Sequence, residues 1–191
     1  MALGRDRRTL LPMLEKPLVG APQDRTQIFS FDLRTHRYSA DRWFYPYEPR
    51  GVSIGDFQLD HGGRDGLVIE RDNSQGDLNG FKALEEVHLG APGTTVGKRE
   101  AADLLNIVDP ARISLPARPR DVGLGDPFAF PFNTIEDLVL LGGREVVVLD
   151  DNNFPFSVGR HVGSGAPDDE ELIVLRLARA VGSRVTGRAA R

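Results

Sequence analysis

The chain has 191 residues, long enough for one sizeable core, and its 40% hydrophobic and 27% charged residues are ordinary for a soluble globular protein. Its 24 Lys plus Arg against 28 Asp plus Glu leave a net charge of -4, which argues against nucleic acid as the main partner. With no Cys, disulfides and thiolate chemistry are excluded, and the 4 His match no zinc spacing.

In chain order, MALGRDRRTLLPMLEK places basic residues before a short apolar run that Glu15 ends, too short for an export signal. No run reaches the roughly 18 apolar residues of a spanning helix, so the chain as written is expected in the cytoplasm, without a membrane span. Next, GRDRRTLLPMLE (4 to 15) followed by TQIFSFDL (26 to 33) reads as a partial repeat lacking its first strand. The full repeat is IGDFQLDHGGRDGLVIERDN (54 to 73), which aligns with IEDLVLLGGREVVVLDDNN (135 to 153) from Gly62 and Gly63 against Gly142 and Gly143 onward. The match continues without a gap through Val68 with Val148 and Asn73 with Asn153. Gly-Gly between apolar runs predicts a hairpin. Each copy is followed by a further strand-like segment, FKALEEVHL (81 to 89) or EELIVLRL (170 to 177).

Between the copies, Lys98 to Ile107 predicts one short helix, with Leu104, Leu105 and Val108 as its apolar face. GTTVGKR resembles a phosphate loop only briefly, because Pro92 replaces the first Gly and Arg99 follows the Lys. Hairpin plus strand, recurring at tens of residues, predicts an all-β fold: a partial β-propeller of about two and a half blade-like repeats with one short helical insertion. That count is too low to close a ring, so open sheet edges and self-association are expected, in a fragment or between chains that complete one another. The repeat region is read as residues 1 to 178, and Arg179, Arg184, Arg188 and Arg191 mark a basic, solvated tail over 179 to 191.

The strand VVVLDDNNFPFS (146 to 157) ends in two Asp and two Asn, which either bend the chain or offer oxygens to a cation or a reacting ester. Alternate side chains share a face, so Glu70 corresponds to Asp150, Asp72 to Asn152, and Glu15 takes the same place in the first copy. Glu136 and Asp56 are weighed in the same way. Arg71 and Arg160 are the candidate substrate-binding cations. The phenylalanines of GLGDPFAFPF, with Phe154 and Phe156, are expected to pack in the core. Ser164 in VGSGA lacks the glycines of a nucleophile elbow, and Ser157 near His161 is no triad by spacing alone.

Together VIERDNSQG, GLGDPFAFPFNTIEDLVLL and VVVLDDNNFPFSVGR resemble the phytase-like family with esterase-like activity, over residues 4 to 177. The resemblance implies a secreted or periplasmic bacterial β-propeller domain about twice this length, of which the chain is similar to the C-terminal half. It implies an active region containing Glu15, Glu70, Asp72, Glu136, Asp151, Asn152 and Asn153. In that reading Glu70, Asp72, Glu136 and Asp151 are catalytic, while Glu15, Glu70, Asp151, Asn152 and Asn153 hold Ca²⁺. The implied chemistry is metal-assisted hydrolysis of a small phosphoester or related ester. A non-catalytic binding propeller, or an inactive part of the enzyme, is the alternative, and turnover by this chain is left open.

Overall fold

The structure, a computed structural model, describes residues 1–183. Eleven strands form three antiparallel sheets, none closed into a barrel, and no helix occurs among the described residues. The first sheet is β1 (Ala2–Leu3), β2 (Thr9–Leu11), β3 (Arg25–Asp32) and β4 (Arg37–Pro46), in that order. The second is β5 (Ser53–Leu59), β6 (Asp65–Arg71), β7 (Lys82–His88) and β8 (Gly97–Asp103), again in chain order. The third orders β9 (Ile135–Gly142), β10 (Glu145–Asp150) and β11 (Leu172–Arg176) with β10 in the middle. Because β1 lies against β5 and β5 against β9, the first strand of each sheet is innermost, and the chain is an all-β partial β-propeller.

The repeat is borne out strand for strand, with β5, β6 and β7 matching β9, β10 and β11. The Gly-Gly turns do their work at Gly63, Gly142 and Gly143, whose φ angles of 73°, 112° and 61° lie where a side chain is strained.

Two expectations are corrected. The opening copy does have a first strand, the two-residue β1, which pairs Ala2 with Leu11 and Leu3 with Leu10. Lys98 to Ile107 is not a helix: it is mostly β8, paired with β7. The residues there have good helical propensity, but tertiary contacts outweigh it. Arg99 stands opposite Glu86 and bonds its carboxylate at 2.6 and 2.9 Å, while Lys98 reaches 2.6 Å to Glu70 beneath the sheet. Within the span 179 to 191 read as a basic tail, Gly182 N–H donates to Glu86 at 3.0 Å and the Ser183 carbonyl accepts from Arg99 at 3.3 Å. Residues 184–191, with the other three arginines, are outside the described residues.

Alternation along each strand builds two cores. Val68 and Val87 of the second sheet meet Ile28, Trp43 and Tyr45 of the first. On the opposite face, Leu67, Ile69 and Leu84 meet Leu138, Val146 and Val148 of the third sheet, with Phe128, Phe130 and Phe132 from the long connection between β8 and β9. Those three phenylalanines are core, as expected, whereas Phe154 and Phe156 are exposed, because they sit on the turn leaving β10.

Candidate functional site

The acidic strand exits collect at one end of the sheets, where β6 and β10 finish and β5 and β9 begin. There Arg71, nearly buried, places Nη2 3.3 Å from Glu136 and 3.9 Å from Glu15, and Nη1 donates to Asn133 Oδ1 at 3.3 Å. Its Nε has no partner. Both carboxylates are exposed, so a nearly buried guanidinium lies under two water-accessible acids. The β5–β9 approach that positions them needs Gly55, since a Cβ there would strike the Ile135 carbonyl.

The other acidic residues come to the same end but are differently engaged. Glu70 is fully buried between the first two sheets and accepts from Tyr45 O–H at 2.5 Å, Glu48 N–H at 2.6 Å and Lys98 Nζ at 2.6 Å. Burial, with the Glu70 charge beside it, pushes the Tyr45 hydroxyl far up. Asp72 accepts from the buried Lys82 at 2.6 Å, from Ser74 and from Phe81 N–H. Burial works against its charge, but the Lys82 and Ser74 bonds outweigh that and hold the carboxyl below its usual range. Asp151 and Asn152 accept from the N–H groups two residues on, at 3.0 and 3.1 Å, and Asn153 has φ 46°, so DNN forms Asx turns. Thr134, whose hydroxyl donates to the Asp151 carbonyl, ties that turn to the start of β9. Arg160 is enclosed elsewhere, paired twice with Glu171 and lying over Phe128 and Phe132.

Among the described residues no group of three or more His, Cys, Asp or Glu is arranged to hold a metal ion. Glu15, Glu70 and Asp151 are thus not gathered into such a group.

Sequence reasoning missed one feature and reached a second only as the alignment partner of Glu70, without its burial. One is a cavity of about 1000 Å³ between β8, β11 and the long connection. On its wall the buried His161 has Nδ1 2.6 Å from Asp121, and Arg118 and Asp169 reach its other ring nitrogen at 3.3 and 3.4 Å. Nothing in the spacing of residues 40 apart signals that pair. The other is Asp150, the counterpart of Glu70, which is fully buried with one oxygen on Glu171 N–H at 2.6 Å and the other unpartnered.

Burial pushes Asp150 up to about 7, the Glu171 N–H bond opposes this, and the charges of Asp168 and Glu171 add to it. A carboxyl raised from 3.8 to about 7 keeps its proton longer when folded, so the folded state holds more protons across that interval and stability falls as pH rises through it. Asp150→Asn, neutral throughout, is expected to melt about 2 to 4 °C above the parent at about pH 8, near 1 kcal/mol. At about pH 5 the difference should be smaller, closing below about pH 4, and melting curves across this range check it.

A family model for phytase-like proteins, described as esterase-like activity of phytase, matches residues 1–154. No curated protein and no solved structure matches the chain.

Proposed function

The chain belongs to the phytase-like family, and from that premise we propose that it acts as a hydrolase of small phosphoesters or related esters, at the end where β5, β6, β9 and β10 meet. The observation that carries this is Arg71, whose Nη2 is held under the exposed carboxylates of Glu15 and Glu136. A guanidinium suits an anionic ester oxygen because its fork offers two parallel donors. Its contacts of 3.3 and 3.9 Å to the carboxylates are long enough to be exchanged for closer ones. Glu136, open to water, is the base that would take a proton from the attacking water, with Glu15 beside it. Asp151 and the Asn pair shape the rim, while Glu70 and Asp72 hold the end of β6 through Lys98 and Lys82. Calcium enters only as an ion that the exposed oxygens would hold weakly, and an extracytoplasmic location belongs to the same family-based reading.

The test is turnover of a chromogenic aryl phosphate and an aryl acetate. Arg71→Lys and Glu136→Gln should each lower kcat/KM by about 10-fold, near 1.4 kcal/mol, with melting temperatures close to the parent's. Melting curves in calcium and in chelator, for the parent and Glu136→Gln, check the ion. Parental turnover in both variants would remove this end of the molecule from the chemistry. A second reading, a binding module without turnover, is favoured by the cavity beside β11, whose wall mixes Arg118 and His161 with apolar residues. A parent protein that turns over neither ester would support it.

A further inference from the structure

The third sheet carries an apolar face that none of the described residues covers. Val139, Leu141, Leu172 and Val174 are 53%, 56%, 60% and 60% exposed, and Val147 and Leu149 lie between them on the same face. The repeat tells what that face is for. Val148 aligns with Val68, and each points back toward the preceding sheet, Val68 to the first and Val148 to the second. Val147 and Leu149 therefore correspond to Leu67 and Ile69, which are 0% exposed because they point forward onto the following sheet. Among the described residues no sheet follows the forward face of the third.

The first sheet shows the complementary condition. Its forward face, with Leu11, Ile28, Trp43 and Tyr45, packs on the second sheet. Its backward face carries Leu10, Phe29, Phe31 and the well-exposed Tyr38, whose ring meets both phenylalanines edge-on. Charged side chains border both faces. Asp137 and Glu145, with Arg176, border the third sheet's face, while Arg42 stands beside Phe29 on the first sheet's, and none of these is in an ion pair among the described residues.

We propose that the forward face of the third sheet docks on the backward face of the first sheet in a second copy of this chain, and reciprocally, closing a ring of two copies. The contact continues the forward-to-backward packing used twice within the chain. It is heterologous, so it closes only if the rotation suits. Two copies of three sheets give six blades, inside the four to eight at which propellers close, whereas one copy falls short. Exposed apolar patches of this kind mark interaction surfaces.

Size-exclusion chromatography with light scattering on the full chain should give twice the 21.0 kDa chain mass. Val174→Lys on one face, or Tyr38→Lys on the other, should each raise the dissociation constant 10-fold or more, toward monomers with an unchanged far-ultraviolet circular dichroism spectrum. Mixing the two variants leaves one unaltered contact, third sheet of the Tyr38→Lys chain on first sheet of the Val174→Lys chain, so two-chain species should reappear. A monomeric parent overturns the proposal. So does a Tyr38→Lys variant that remains paired, which would mean that third sheets dock on each other, and so do open-ended polymers, in which the rotation does not close.

Discussion

Arg160→Ala is expected to destabilise the protein by about 3 to 4 kcal/mol, lowering the melting temperature by roughly 8 to 12 °C. The guanidinium is 2% exposed and makes four bonds: Nε and Nη2 to the two Glu171 oxygens at 2.5 and 2.7 Å, Nη1 to the Val122 carbonyl at 2.6 Å, and Nη2 to the Ala129 carbonyl at 3.3 Å. It also lies 5.2 Å over the rings of Phe128 and Phe132. One side chain thus holds the long connection between β8 and β9 onto the segment between β10 and β11. Its removal leaves two carbonyls and a carboxylate without their donor. Arg160→Lys should recover little, because an ammonium cannot make the paired bonds or the flat contact.

The loss should depend on pH. Burial pushes the Asp168 carboxyl up to about 6, Glu171 adds to this, and Arg160 is among the charges opposing it. Without Arg160 the carboxyl rises further, and the folded state takes up protons over a wider interval. Stability then falls more steeply with rising pH, so the gap between parent and variant should be larger at about pH 8 than at about pH 5. Melting curves at both values check it, and an equal gap would mean that Arg160 acts by packing alone.

Where the fold was legible in the sequence, the cause was local. The hairpins β5–β6 and β9–β10 announce themselves because alternating apolar residues flank Gly-Gly, and their alignment already pairs Glu70 with Asp150, both fully buried in the structure. The strand β8 was hidden, because GKREAAD has no apolar alternation. Its reasons to be a strand lie in Glu86 and Glu70, 13 and 28 residues away from the bonding Arg99 and Lys98. The site divides similarly. That the acidic exits share one end follows from the repeat. That Arg71 lies between Glu15 and Glu136, while Lys82 and Lys98 occupy Asp72 and Glu70, depends on neighbouring sheets that no spacing reveals. The Asx-turn geometry of DNN was one of the two readings that Asp and Asn at a strand end allow.

Glu70→Gln is expected to cost about 2 to 3 kcal/mol, a fall of roughly 5 to 10 °C in melting temperature. The amide keeps the shape, but Tyr45 O–H and Glu48 N–H bond different oxygens of the carboxylate and the amide has only one, so the loss comes from charge and from one of these bonds. Lys98, nearly buried, would lose its 2.6 Å partner and keep the Pro46 carbonyl and the exposed Glu48, each at 3.0 Å. Removing one member of a buried pair leaves the other uncompensated, and the remaining contacts soften the cost only in part. Glu85 supplies an internal check. Burial pushes its carboxyl up to about 7, Lys98 opposes this, and the Glu70 charge contributes to it. With that charge gone, Glu85 should ionise at lower pH and become a partner for Lys98. The interval in which the folded state holds the extra proton then narrows from above, so the stability gap should shrink as pH rises from about 5 to 8. Glu70→Gln combined with Lys98→Met removes both charges and should lie closer to the parent than Glu70→Gln alone, a coupling that a double-mutant cycle measures. If turnover of the aryl phosphate falls in Glu70→Gln but returns in the double variant, Glu70 acts by holding β6 under Arg71. Turnover that stays low in a double variant of restored stability would instead place the Glu70 carboxylate in the chemistry itself.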